Sequence, residues 1–196
     1  MTTPPGATPW EEAGMKDGVT IYTRTRAGSS RKEFRAIGEI DAPSHCVFAV
    51  LNHPELYPRF MPYTSETHVI ERTKDDVVTY QRLDLPLVND RDYTLRSTHT
   101  IQRGPLGPTY CIRWKPANDL GPAEKPGVQR VRICEGSWKL QPITATTTRA
   151  TYTIYSDTGG AIPVFLANHG SRIAIRKLFA AIRKVAMEPQ YAGTRG

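Results

Sequence analysis

Strand-like segments follow one another from residue 64 to residue 142, and no stretch long enough for a helical crossover separates them. Parallel neighbours need crossovers of a dozen or more residues, so we expect these strands to pair antiparallel. Turn clusters such as Lys74-Asp75-Asp76 mark the boundaries between them. The strands predicted in this part of the chain are 66–72, 76–85, 92–101, 110–115 and 128–140.

A hairpin and a short helix are predicted before this run. Segments 19–24 and 32–40 alternate apolar and polar residues on either side of a Gly-Ser-Ser turn, which favours two paired strands. Pro43 then opens a run without a helix breaker before Asn52, which predicts a short helix. After the long run of strands, segment 146–156 is rich in β-branched residues and predicts a last strand.

A long helix is predicted from residue 163 to about residue 187, after the turn at Gly159-Gly160. Seven residues recur there at steps of four and three, so they share one stripe, which we expect to face the sheet. The stripe consists of Val164, Asn168, Ser171, Ile175, Leu178, Ile182 and Val185. The order of elements therefore predicts an α+β fold with helices on one face of a single antiparallel sheet.

The length of 196 residues, with 39% hydrophobic and 23% charged residues, is typical of one globular domain. We predict a domain at 10–188 between a disordered segment, 1–9, and a flexible tail, 189–196. The chain shows neither the pattern of a signal peptide nor an apolar run of about 18 residues, so we expect a cytoplasmic protein. We also expect a monomer.

The cysteines and the charge exclude some classes of function. Cys46, Cys111 and Cys134 are odd in number and form no CxxC pair, which argues against a disulfide framework or a zinc site. The histidines lack metal-ligand spacing, and no nucleophile, phosphate or dinucleotide motif is present. We therefore predict no metal, no cofactor and no catalytic residue. The net charge of +7 permits attraction to an anionic membrane, and we expect no nucleic-acid partner.

Three motifs carry a resemblance to a known family: YPRFMPY at 57–63, Arg91-Asp92-Tyr93 within PLVNDRDYTLR, and Gly136-Ser137-Trp138. With the turn at 157–163 and the order of elements, they resemble the START lipid-transfer family, over residues 10–188. That family belongs to the helix-grip group, which includes the plant pollen-allergen proteins and polyketide cyclases. The resemblance implies a helix-grip fold, in which a curved antiparallel sheet wraps around the long C-terminal helix and encloses a ligand cavity.

The function that this resemblance implies is non-enzymatic binding and transfer of a sterol, fatty acid, phospholipid or related lipid. The alternative is an enzyme of the polyketide cyclase/aromatase type that acts on a poly-keto chain. A third reading is a ligand-sensing or quinone-chaperone module that works through a protein partner. The same fold hosts all three activities, so the sequence does not choose between them.

Strand alternation, the stripe of the last helix and the aromatic lining that the resemblance implies together predict which side chains reach the cavity. In the strand after Arg91, the set Tyr93, Leu95, Ser97, His99 and Ile101 alternates with a polar set, and we assign it to the inner face. The alternative for any such residue is a role in a solid core or in a local hydrogen bond. The predicted ligand-contact residues are Tyr80, Leu95, His99, Trp114, Trp138, Tyr152, Asn168, Ser171 and Ile175.

Two groups of charged residues have both a functional and a structural interpretation. Arg91 and Asp92 either orient a ligand head group or make a structural contact where the strand begins. The last helix carries basic and apolar residues away from its stripe, a pattern typical of a membrane-docking surface, although a solvated charged face fits as well. The residues predicted to face the membrane are Phe165, Leu166, Arg172, Arg176 and Lys177.

Overall fold

A computed structural model describes residues 6–157 and 164–192 of the chain, and the side chains of these residues except 164–167 and 192. The strands are β1 (Glu11–Lys16), β2 (Val19–Thr25), β3 (Lys32–Ile40), β4 (Thr64–Arg72), β5 (Asp76–Leu83), β6 (Arg91–Gln102), β7 (Thr109–Pro116), β8 (Gln129–Arg130), β9 (Ile133–Pro142) and β10 (Thr148–Asp157). The helices are α1 (Ser44–Leu51), α2 (Val164–Val185) and α3 (Pro189–Ala192), with 3-10 helices at Pro54–Arg59 and Asn118–Leu120.

The ten strands of the described residues form one sheet, and nine of them lie in the order β1-β2-β3-β10-β9-β7-β6-β5-β4. Every neighbouring pair in that order is antiparallel, and the two-residue β8 pairs parallel to the start of β6. The predicted α+β helix-grip fold, with an antiparallel sheet and a long C-terminal helix, is therefore confirmed.

Two strands differ from the prediction. β1 was missed because EEAGMK has no β-branched residue and contains Gly14 beside a bulge, so its pattern is weak. The predicted strand 128–140 is divided into β8 and β9. The division follows from two different pairings, since β8 joins β6 whereas β9 lies between β7 and β10.

The inner face is the side of the sheet on which α1 and α2 pack. Cross-strand register places a row of mostly apolar residues across it, because directly paired residues project to the same side. That row runs through Ile21, Ala36, Tyr152, Trp138 and Ile112. Helix α1 covers one end of this face, where Phe48 stacks on Tyr110 with ring centroids 4.2 Å apart.

The amphipathic helix α2 lies across the inner face and buries Ile175, Phe179 and Ile182. Phe179, rather than the predicted Leu178, is the centre of the packed stripe, and its ring lies where a side chain at Gly38 would be: a Cβ there would come 2.9 Å from Phe179 Cε1. The absence of a side chain at Gly38 thus permits close contact between helix and sheet. No helix within the described residues is long and apolar enough to cross a membrane.

Both predicted flexible ends are partly ordered. Residues 189–196 were predicted to be a flexible tail, but Pro189–Ala192 forms α3, and Tyr191 is buried in the main core. That prediction is wrong for α3, because one aromatic side chain anchors the segment. At the other end, Thr8 N–H donates to the carbonyl of Thr25 at 2.9 Å. Residues 1–5 and 193–196 lie outside the described residues.

Candidate functional site

The centre of the inner face carries a group of aromatic side chains from three adjacent strands. Tyr152 lies beside Trp138 with ring centroids 4.6 Å apart and beside Trp114 at 5.8 Å. Trp138 also contacts Phe179 of α2 at 5.4 Å. The indole of Trp114 packs over Gly136 in the paired strand, in space that a side chain there would occupy, since a Cβ at Gly136 would lie 2.5 Å from the indole. These contacts join the sheet and α2 into one apolar wall.

Several inner-face residues combine a buried environment with accessible surface. Burial raises the pKa values of the Tyr93 and Tyr152 hydroxyls well above the ordinary value for tyrosine. Burial also raises the pKa of the Cys134 thiol to about 12. The side chains of Tyr93, Trp114, Tyr152 and Ile154 are nevertheless only half-buried. These four side chains lie on the side of the sheet that α2 covers, and none of them is fully buried there. We take the region between α2 and the inner face as the candidate site.

One side of the candidate site is polar. Tyr93 donates its hydroxyl hydrogen to Gln81 Oε1 at 3.1 Å, and Gln81 Nε2 donates to Thr79 Oγ1 at 3.4 Å. Thr67, in register with Gln81, has a buried hydroxyl oxygen without a hydrogen-bond partner. Within the described residues, the Tyr152 hydroxyl also forms no hydrogen bond. These groups can orient a hydroxyl or carbonyl of a ligand.

The other side is apolar and tightly packed. Leu95 of β6 is 6% exposed and packs against Val131 and Cys134, with Trp114 and Ile154 at the edge of the cluster. Ile175 of α2 is buried in the main core. Within the described residues, no group of three or more His, Cys, Asp or Glu side chains is placed to hold a metal ion. The site is therefore suited to an amphiphilic or apolar molecule.

Residues 40–183 match the sequence profile of the family described as polyketide cyclase/dehydrase and lipid transport. The chain belongs to this family. An uncharacterized protein of Pseudomonas aeruginosa is 29% identical to it over 161 residues, which cover 81% of this chain and 77% of the relative.

Solved structures support a START-type domain within the polyketide cyclase and lipid transport family. A STAR-related lipid transfer protein from Xanthomonas axonopodis is 25% identical to this chain and superposes with a TM-score of 0.81. The alignment covers 91% of this chain and 99% of the chain of that protein. Human STARD10, 19% identical, matches 92% of this chain and 74% of its own with a TM-score of 0.80. The Zhui aromatase/cyclase from Streptomyces, at 15% identity, covers 79% of this chain and 90% of its own with a TM-score of 0.53.

Five of the predicted ligand-contact residues of this chain lie at the candidate site or in the packed clusters that border it. They are Leu95, Trp114, Trp138, Tyr152 and Ile175. Asn168 and Ser171 lie half-buried on α2, on the predicted stripe. Their contact with a ligand stays a prediction.

Tyr80 was predicted to line the cavity, but it lies on the opposite, outer face of the sheet. It pairs in register with Thr94, whereas Tyr93 and Leu95 project inward. The Tyr80 hydroxyl donates to Asp92 Oδ2 at 3.2 Å, and its ring stacks on His68 with centroids 6.2 Å apart. The segment that contains the 3-10 helix at 118–120 covers this part of the outer face, which is why an outward residue is buried there.

His99 has the predicted inward orientation but does not belong to the aromatic group. Its ring lies 5.1 Å from Phe48 of α1, and its Nε2 lies 4.0 Å from Asp75 Oδ1. Helix α1 therefore covers His99 at the end of the inner face away from Tyr93. Contact of His99 with a ligand stays a prediction.

Asp92 and Arg91 have different environments although they are adjacent. Asp92 lies on the outer face and accepts two hydrogen bonds from Arg130, from Nε at 2.7 Å and from Nη2 at 3.0 Å. Arg130 also donates to the carbonyl of Pro122 at 3.0 Å, so the pair holds the covering segment against β6. Asp92 has the structural role, whereas Arg91 projects to the inner face.

The basic residues of α2 are less exposed than predicted. Arg172 and Arg176 are half-buried, and the Nε atom of each is buried without a hydrogen-bond partner. Lys177 is exposed but donates to the Tyr63 hydroxyl at 2.9 Å. The side chains of Phe165 and Leu166 lie outside the described residues. The exposed side of α2 therefore carries Lys177 and Lys184 rather than a row of arginines.

Sequence reasoning missed Gln81, Thr67 and Cys134 as residues of the site. The orientation of Cys134 follows from its pairing with Ser156 at the end of an inward alternation that includes Trp138. The alternation is present in the sequence of β9, so the inward orientation of Cys134 could have been predicted from it. The orientation of Gln81 depends on the register between β5 and β6, and this register is a tertiary property.

Proposed function

We propose that this chain is a non-enzymatic carrier that binds a lipid-like molecule between α2 and the inner face and transfers it. The observation that supports this most is the row of aromatic side chains on the side of the sheet that α2 covers, where Tyr93, Trp114 and Tyr152 remain half-buried rather than fully buried. Burial of apolar surface contributes about 25 cal/mol per Å², so contact with these rings can hold a lipid without an ion pair. The likeness to a STAR-related lipid transfer protein supports the same function.

Native mass spectrometry of the purified protein, followed by extraction into organic solvent, tests this proposal. We expect a bound lipid that is released on denaturation and that exchanges into acceptor vesicles. An empty protein that takes up no lipid from donor vesicles would contradict the carrier function. Tyr152→Phe serves as a matched variant, because it removes only the hydroxyl and should leave uptake of a purely apolar lipid unchanged.

A polyketide cyclase/aromatase is the alternative that the family description keeps open. The tyrosine hydroxyls that border the site favour this alternative, since they could contact the carbonyls of a poly-keto chain. Burial raises the pKa of Tyr93 and Tyr152, however, so near neutral pH both remain protonated and act as hydrogen-bond donors rather than as bases. Turnover of a poly-keto substrate by the purified protein would establish the enzyme instead.

Loading from a membrane is part of the proposed function. The exposed side of α2 presents Lys177 and Lys184, with Ile173 one turn before Lys177, which makes a small basic surface with an exposed apolar residue. Near an anionic surface each basic residue contributes about 1 kcal/mol. We therefore propose that this side of the helix contacts anionic lipid while the cavity is loaded.

Charge reversal tests the contact with the membrane. The double variant Lys177→Glu/Lys184→Glu should bind vesicles that contain phosphatidylserine at least about tenfold more weakly at low salt, since two favourable charges become unfavourable. Lys74→Glu/Lys115→Glu, in a turn and on the outer face, is the control with the same change in net charge. Co-sedimentation measures both. Equal losses in the two variants would show that only net charge matters and would contradict docking through α2.

A further inference from the structure

Arg91 is a buried arginine at the end of the inner face at which β6 begins. An unbroken register pairs it with Leu83 of β5, and β8 places Gln129 beside it. Alternate residues of a strand share a face, so its side chain extends to the same side as Tyr93. Arg91 is 3% exposed. Its guanidinium therefore ends inside the protein, next to the polar side of the candidate site.

The carboxylates adjacent to Arg91 in sequence are both bound by other arginines. Asp90 Oδ2 accepts a hydrogen bond from Arg82 Nε at 2.6 Å. Asp92 accepts its two bonds from Arg130 on the outer face. No carboxylate among the described residues forms an ion pair with Arg91. A buried arginine without an acidic partner is unusual, because the loss of hydration of the charge is then uncompensated.

The donor groups of Arg91 are also incompletely used. Nη1 donates to the carbonyl of Asn89, while Nε is buried and has no hydrogen-bond partner. Burial lowers the pKa of Arg91, which reflects the cost of the charge in this environment. A guanidinium binds carboxylate or phosphate through two parallel N–H···O bonds. An anion of this shape would satisfy the donors and compensate the charge.

We propose that Arg91 binds the anionic head group, a carboxylate or phosphate, of an amphiphilic ligand whose chain lies along Leu95, Trp114 and Trp138. The inference rests on the proposed carrier function and narrows its ligands from lipids in general to acidic amphiphiles. The inner face fits such a molecule, since Arg91 and Tyr93 lie where β6 begins, whereas Leu95 follows them and Trp114 and Trp138 lie on the strands next to β6 and β7.

Three probes with the same hydrocarbon chain test the proposal: oleate, oleyl phosphate and oleyl alcohol. We expect the delipidated protein to bind one of the two anions at least about tenfold more tightly than the alcohol, measured by isothermal titration calorimetry. The anion that binds more tightly identifies the head group. Arg91→Met should remove this preference and leave binding of the alcohol intact. Arg113→Met, an exposed arginine on the outer face of β7, is the control that should keep it.

Arg91→Lys covers the case in which Arg91→Met does not fold, because lysine keeps the charge but lacks the two-pronged donor edge. It should weaken binding of the preferred anion about tenfold relative to the wild type, with little change for the alcohol. Equal affinities of the wild type for all three probes, or a preference that survives in Arg91→Met, would overturn the assignment of Arg91 alone. A protein that binds none of the probes and carries no lipid would overturn the carrier function as well.

Discussion

Replacing Ile154 with tryptophan should lower lipid uptake by at least about tenfold while the protein stays folded. Ile154 is half-buried on the inner face, in register with Gly136 and Phe34. An indole at this position would occupy part of the space that a hydrocarbon chain needs. Exclusion of about two methylene groups costs the complex roughly 1.6 kcal/mol, which corresponds to more than a tenfold change in affinity.

Displacement of a fluorescent fatty acid measures the effect, and thermal unfolding checks that the variant is folded. Thr98→Trp is the matched control, because Thr98 is exposed on the outer face of β6 and the added ring lies in solvent. Leu95, which strand alternation alone suggests for this experiment, is a poorer choice. Its cluster with Val131 and Cys134 is tightly packed, so tryptophan there would strain the core. Unchanged uptake by Ile154→Trp would place the ligand elsewhere.

Removal of the Asp92 carboxylate should destabilise the protein by about 3–5 kcal/mol, the typical cost of leaving one partner of a buried ion pair uncompensated. The side chains of Arg130 and Asp92 are 4% and 1% exposed. In Asp92→Ala, the guanidinium of Arg130 would stay buried with only the carbonyl of Pro122 as an acceptor. Tyr80 would lose its acceptor as well. Urea denaturation measures the change in the free energy of unfolding.

Two comparisons make this second prediction specific. Glu39→Ala removes the partner of Arg149 in an ion pair whose side chains are 55% and 51% exposed, and it should cost less than about 1 kcal/mol. The double variant Asp92→Leu/Arg130→Met should recover much of the loss, since it leaves no unpaired charge. If Asp92→Ala instead unfolds like the wild type but loses lipid affinity, Asp92 contacts the head group and the structural assignment fails.

Alternation along single strands predicted part of the candidate site. Leu95 and Tyr152 were assigned inward because apolar and polar residues alternate in their strands, and the structure places both on the inner face. Alternation succeeds where the outer face meets solvent, since polar residues then mark the outward positions. Trp114, Trp138 and Tyr80 were instead assigned to the cavity as aromatic residues, on the family resemblance. That assignment holds for Trp114 and Trp138, which lie on the inner face, but fails for Tyr80. Both faces of β5 are buried, so the sequence of that strand contains no marker of direction.

The sequence by itself determined the order of elements, the antiparallel sheet and the terminal helix, because these follow from short-range periodicity and turn residues. Only the tertiary structure decided which arginine each acid binds. Asp90-Arg91-Asp92 reads as a local charge cluster, yet Asp92 pairs with Arg130, 38 positions away, and Asp90 pairs with Arg82. These partners depend on strand register and on the path of the segment before β8. Among the described residues, Arg91 lacks an acidic partner on the inner face for the same reason. A strand directs adjacent residues to opposite faces, and the neighbouring strands then determine which residues each side chain contacts.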